Sequence, residues 1–224
     1  MRDEQIDGAF GSSAAVPVDV VARIREQIRR DTQPVIPMTG VGSYALAFGS
    51  IVAAAAILFA LLFGFNGLHF LPSTTAMLIL GTLAATGACS VLMAARSMRP
   101  GAGGLHSAIL GTVVLVVYEA LIFTLFHDYS TRVFIQQGLI CLALGVLCGA
   151  VAGVPIWLLV RRGFVVQPVR TGATIGLASG LAGVIGLTLH CPVTTVPHSG
   201  VWHAVVILVC VGAGAVLGRL LRTR

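Results

Sequence analysis

Residues 134–162 read FIQQGLICLALGVLCGAVAGVPIWLLVRR. No charge interrupts positions 134–160, and two arginines then arrive together at 161 and 162. As a helix this run rises about 40 Å at about 1.5 Å per residue, enough to cross a hydrocarbon layer about 30 Å thick. Such a stretch has no comfortable place in a soluble domain, and it is not alone. Working outward, five further apolar runs of similar length cover 43–65, 73–95, 105–126, 171–190 and 200–218. In lipid the backbone must satisfy its own hydrogen bonds, so spans this long are helices. The expected fold is an all-α integral membrane bundle of six transmembrane helices behind a short, partly disordered N-terminal segment, 1–42. Short connections make consecutive spans expected neighbours in space.

Composition agrees with the runs. The chain is 57% hydrophobic and 10% charged, where a soluble domain carries about 25% charged residues. Its net charge of +6 is the balance of fourteen arginines, with no lysine, against eight acidic residues. These arginines sit in short clusters at the ends of apolar runs, without interleaved aromatics, so they read as topology signals and not as a nucleic-acid surface. With the N-terminus inside, thirteen of them are cytoplasmic: Arg2, Arg23, Arg25, Arg29, Arg30, Arg96, Arg99, Arg161, Arg162, Arg170, Arg219, Arg222 and Arg224. Arg132 alone falls outside. Both termini are therefore expected to be cytoplasmic, with a basic C-terminus at 219–224. No signal-peptide pattern precedes Ser43, so the first run is expected to serve as an uncleaved anchor.

The N-terminal segment holds six of the eight acidic residues. GAFGSSAAVP, residues 8–17, reads as a flexible linker. A helix is expected over about 18–31, with Val20, Val21, Ile24 and Ile28 along one face, Asp19 as a cap, and Glu26 and Arg30 paired one turn apart. TQPVIPMTG then breaks it before the membrane. The narrow apolar stripe either lies on the inner membrane surface or docks in the groove of a partner.

Five cysteines are present, with no CxxC and no zinc-ribbon spacing. Cys141 lies twenty residues before Arg161, and Cys191 twenty-one after Arg170. Helix rise therefore carries both about 30 Å from the arginine side, to one outer level on adjacent spans. Cys148 stops about 10 Å lower, and Cys89 and Cys210 lie nearer the inner face. Gly145, Gly149 and Gly153 on one span, and Gly172, Gly176 and Gly180 on the next, are expected to let those two backbones approach closely. A disulfide needs Cα atoms within about 7 Å, and the outer face is oxidising enough to form one. Buried cysteines are otherwise ordinary packing residues.

Between the last two runs lies LTLHCPVTTVPHSGVWHA, residues 187–204. His190, Cys191, His198 and His203 supply ligand types suited to zinc or copper. Cys141 joins them as a candidate at the same level, and Glu119 as one not far below it. The alternative is a set of interfacial side chains beside Trp202. Pro192 is expected to end the fifth span and Ser199 to cap the sixth. Glu119 is the one acidic residue inside a span and a default functional candidate, as an outer ligand, a proton site or a neutral hydrogen-bonding group beside Tyr118.

These residues carry a resemblance. Cys141, Pro155, Arg161-Arg162-Gly163, Pro168, Gly172, His190-Cys191-Pro192, Trp202 and Gly218-Arg219 resemble the NrsF-type anti-sigma factors, and RIREQIRRDTQPVIPM resembles that family's helix and proline-bearing linker. The resemblance implies six spans and a cytoplasmic segment that binds an extracytoplasmic-function sigma factor. It also implies an outer pair of cysteines, here Cys141 and Cys191, that respond to metal or oxidant and release it. Such a protein is not an enzyme. Val193 and Thr194 stand where the family commonly has acidic residues, which tilts the site towards copper or zinc. Two other readings compete with it: a small metal-handling transporter using Glu119 and the histidines, and a membrane thiol oxidoreductase. The scarcity of intramembrane polar groups counts against the first, and the lack of CxxC against the second.

Overall fold

The computed structural model describes residues 18–31, 40–98, 106–132, 134–161, 165 and 167–220. The expected linker at 8–17, the proline segment at 32–39, Arg2, Arg99, Arg162 and residues 221–224 lie outside them. The chain divides into two units, Met1–Met38 and Thr39–Arg224.

In the first unit, α1 (Val18–Asp31) carries the expected helix. Asp19 lies inside it instead of capping it. Its carboxylate accepts from Arg23 at 2.8 Å, and Glu26 accepts from Arg30 at 3.2 Å. Exposed pairs at this spacing contribute only about 0.3–0.5 kcal/mol each. Val20, Val21, Ile24 and Ile28 are exposed along its length.

The second unit is helical throughout, with no strand among the described residues. Its elements are α2 (Val41–Phe63), α3 (Asn66–Phe70), α4 (Ser73–Arg96), α5 (His106–Leu125), α6 (Phe134–Val160), α7 (Pro168–His190), a π-helical turn (His198–His203) and α8 (Ala204–Leu220). Five helices are long and apolar enough to cross a membrane, with the π turn and α8 counted as one; a shorter apolar helix covers 109–125. Large apolar side chains such as Leu46, Leu61, Met77 and Ile135 point outward. In water such a surface would aggregate; in lipid it is the solvated one.

α7 is the axis of the bundle. It packs against α2, α4, α5, α6 and α8, and 83% of its apolar window is buried, against 33% for each of the other four spanning helices. Its composition explains this. PVRTGATIGLASGLAGVIGLTLH has small side chains on every face, so helices can close on it from all sides, and its threonines and serine meet protein and not lipid. Thr174, Ser179 and Thr188 each donate to a carbonyl one turn back, which satisfies hydroxyls that lipid could not.

Two expectations need correction. The glycines 172, 176 and 180 of α7 face α8 and not α6: a Cβ on Gly172 would strike Gly214 O, one on Gly176 would strike Cys210 O, and one on Gly180 would come within 2.8 Å of Ile207 Cα. α6 and α7 still approach closely, but through other positions: a Cβ on Gly183 would strike Gly145 O, and one on Gly149 would come within 3.1 Å of Ser179 O, while Gly145 also takes Leu187 and Val206 and Gly149 takes Cys210 Sγ. Spans three and four are also not packing neighbours. α5 lies on α4, α7 and the π turn, with no substantial contact to α6 among the described residues. The gain from closing on α7 outweighs chain adjacency.

Two apolar clusters divide the core. One surrounds Phe48, Met98, Ile156 and Ile175, towards the ends that carry Arg96 and Arg161. The other surrounds Tyr118, Ile122, Leu187 and Val206 at the opposite end, and it contains Cys141 and Cys191.

Candidate functional site

Pro192 ends α7 as expected. A residue before proline avoids helical ψ, and Cys191 is extended at φ −73°, ψ 119°. Its own N–H still donates to Leu187 O at 2.7 Å. The thiol is thereby held at the rim of α7. The chain then crosses to the 126–132 loop, where Val196 N–H donates to Asp128 O at 2.8 Å.

The next element decides the site. His198 and His203 are five residues apart. On an α-helix, at 100° per residue, that spacing puts them about 140° apart. In a π-helical turn, with about 4.4 residues per turn, they fall within about 50° of each other. The turn His198–His203 is π-helical, and both imidazoles are buried on one side of it, with ring centroids 5.7 Å apart and planes crossed at 76°. Ser199 is part of this turn and not a helix cap. Its Oγ–H donates to Val193 O at 3.3 Å.

Around the turn the chemistry converges. Cys141 Sγ on α6 lies 3.5 Å from Cys191 Sγ, and Cys191 Sγ lies 3.4 Å from His198 Nε2. One ligand atom from each of Cys141, Cys191, His198 and His203 falls within 4.8 Å of the others, and all four residues are buried. The Cys191 thiol is pushed below its ordinary range. The hydrogen bond from Cys141 contributes most; the imidazoles of His198 and His203 add to it, against the opposing effect of burial. The four residues could hold a metal ion.

Tyr118 of α5 closes the far side. Its O–H donates to Ser199 O at 3.2 Å and lies 3.2 Å from His203 Nδ1. Trp202 seals the edge near Cys141. Its indole occupies the space a side chain at Gly138 would take, beside Phe134 with centroids 5.5 Å apart.

The remaining candidates lie elsewhere. His190 points away from the cluster; its Nδ1 is 3.3 Å from Gly64 O, and its ring lies against Phe59 and Phe63. Glu119 is half-buried on the outer side of the π turn, where a Cβ on Gly200 would meet Oε2 at 3.0 Å. Cys148 donates to Ala182 O at 3.5 Å within the core, Cys210 is buried, and Cys89 is exposed. Tyr118, Gly138 and Ser199 were not foreseen as parts of the site. A tyrosine within a span was the one available sign for Tyr118.

No curated protein and no solved structure matches the chain. The family model described as "NrsF: Negative regulator of sigma F" matches residues 29–222. A helical membrane-type bundle with a buried cysteine–histidine cluster at one end, matched over most of its length, thus belongs to the NrsF family, the negative regulators of sigma F.

Proposed function

We propose that this chain is an anti-sigma factor of the bacterial inner membrane whose Cys141–Cys191 pair reports on the outer face. In this reading the arginine-bearing end of the bundle is cytoplasmic, as are both termini. α1 holds an extracytoplasmic-function sigma factor away from RNA polymerase, and a change at the thiols releases it. The observation that carries the reading is the 3.5 Å approach of two buried sulfurs fifty residues apart in sequence, in a family that regulates a sigma factor negatively. A two-electron oxidant reaching the outer face, such as a peroxide, would accept two electrons and two protons from the thiols and leave a disulfide with the sulfurs at about 2.05 Å. Capture of zinc or copper would engage the same sulfurs with the neighbouring histidines. Either event locks α6 to the end of α7 and changes which packing of the bundle is favoured.

The stripe Val20, Val21, Ile24 and Ile28 precedes the matched residues, so the assignment of α1 rests on its amphipathic pattern and its exposure. The test is co-purification of the full chain with the sigma factor. Cys141→Ser and Cys191→Ser should keep the complex and make it insensitive to oxidant and metal. Replacing Ile24 and Ile28 by aspartate should lose the complex. Retention of the complex by the aspartate variant would remove α1 as the effector, and a normal response from both serine variants would remove the thiols as the sensor.

A further inference from the structure

We propose that Cys141, Cys191, His198 and His203 form a tetrahedral S₂N₂ site for one zinc-class divalent ion, with Tyr118 as the positioning residue that selects the ligand nitrogen of His203. The inference deepens the sensor reading and depends on it only for regulatory meaning.

Geometry comes first. With metal–sulfur bonds of about 2.3 Å and metal–nitrogen bonds of about 2.05 Å, a tetrahedron has S–S edges of about 3.8 Å and S–N edges of about 3.6 Å. The Cys141–Cys191 and Cys191–His198 separations are 3.5 and 3.4 Å. The widest separation in the set, within 4.8 Å, needs about 1 Å of closure, a side-chain movement. Two thiolates and two imidazoles in this arrangement favour zinc-class ions; copper(II) prefers tetragonal sites richer in nitrogen and oxygen.

The hydrogen bonds then fix the tautomer. A tyrosine hydroxyl has one proton, and Tyr118 gives it to Ser199 O. Its contact with His203 Nδ1 must therefore run the other way, Nδ1–H donating to Tyr118 Oη. That leaves Nε2 of His203 as a bare lone pair. This Nε2 is buried with no hydrogen-bond partner, a costly state unless something is bound there. A ligand histidine whose other nitrogen is held by an outer partner is how metal sites orient imidazole. The π turn supplies the rest, because only that winding turns His198 and His203 to the same side. Such turns inside helices concentrate at functional sites.

The test uses the full chain in detergent, stripped with a chelator and titrated with Zn(II), then with Co(II) as a spectroscopic probe. The expected result is one ion per chain, with the intense ligand-field bands of tetrahedral Co(II) and thiolate charge transfer. Cys141→Ser, Cys191→Ser, His198→Ala and His203→Ala should each lose that spectrum. Tyr118→Phe should keep it with affinity lowered about 10–100-fold. His190→Ala and Glu119→Gln should bind as the parent does. An octahedral Co(II) spectrum, no ion in the parent chain, or unchanged binding in both histidine variants would each overturn the proposal, and the parent spectrum decides even if a variant fails to fold. Sigma-factor co-purification from the same preparations separates the two claims: a chain that holds sigma factor but no ion defeats this site alone, and one that binds the ion but no sigma factor defeats the anti-sigma reading alone.

Discussion

The glycine seam between α7 and α8 gives a sharp quantitative test of the packing. In Gly176→Ala the new Cβ would strike Cys210 O and come within 2.8 Å of both Cys210 C and Val211 Cα. All of these are backbone atoms and none can rotate away. Ordinary Cβ contacts lie at about 3.4–4 Å, so the two helices must part by about 1 Å. Overpacking of this kind costs about 1–3 kcal/mol. Parting also loosens the contacts of Gly172 and Gly218 along the same seam, and a gap of 0.5–1 Å already forfeits a quarter to a half of each dispersion well. A total of about 2–3 kcal/mol follows, which shifts the folded-to-unfolded ratio by about 30–150-fold. Gly212, on the same helix α8, has nothing within 4 Å of its built Cβ. There alanine should be neutral or stabilising by up to about 1 kcal/mol, because glycine is a poor residue for a helix interior. Thermal unfolding in detergent, followed by maleimide labelling of buried Cys210, should show Gly176→Ala melting well below the parent and Gly212→Ala at or above it. Equal melting of the two variants would refute the seam.

Two further outcomes follow from the site. Gly138→Ala should drive Trp202 out of its slot and loosen the π turn, so binding of Co(II) should weaken while the sigma-factor complex persists; unchanged Co(II) binding would show that Trp202 does not hold the turn. Because the folded-state thiol of Cys191 is pushed below its ordinary range, its alkylation rate in the metal-free chain should level off at a lower pH than that of a free cysteine, which rises through about pH 8.5. A rate that climbs like the free thiol's would contradict the depressed value.

The spans were legible because run length against bilayer thickness is a crude and strong signal: 134–160 and Phe134–Val160 coincide, and the other spans differ from their helices by a few residues. The convergence of Cys141 and Cys191 followed from the same arithmetic of helix rise. What stayed hidden depends on azimuth. Counting residues fixes a side chain's depth but not the side of the helix it faces. Hence Gly172, Gly176 and Gly180 were expected against α6 although they face α8, and His190 looked like a companion of Cys191 although it turns towards α2. The π turn was invisible for a related reason. His198 and His203 on an assumed α-helix point apart, and only a winding that the sequence does not announce brings them together.

That outward turn of His190 gives it a different use. Cys191 is the last link of the site, and the residue before it is tied to the end of α2 by Nδ1–H to Gly64 O and by the rings of Phe59 and Phe63. α3 clamps the same place: a Cβ on Gly67 would meet Cys191 O at 2.9 Å and Leu189 O at 3.0 Å. A sulfur drawn towards Cys141 therefore pulls on α2, and α2 is the helix whose other end continues into the N-terminal segment. Breaking the tie should separate sensing from output. In His190→Ala, ion binding and disulfide formation should proceed as in the parent, the resting sigma-factor complex should form, and the fraction released by oxidant should fall. The measurement pairs a thiol mass-shift assay with sigma-factor release on one sample. Full release with normal thiol chemistry would show that the signal leaves by another helix, such as α8, which is joined to the site through His203 and to α7 along the glycine seam.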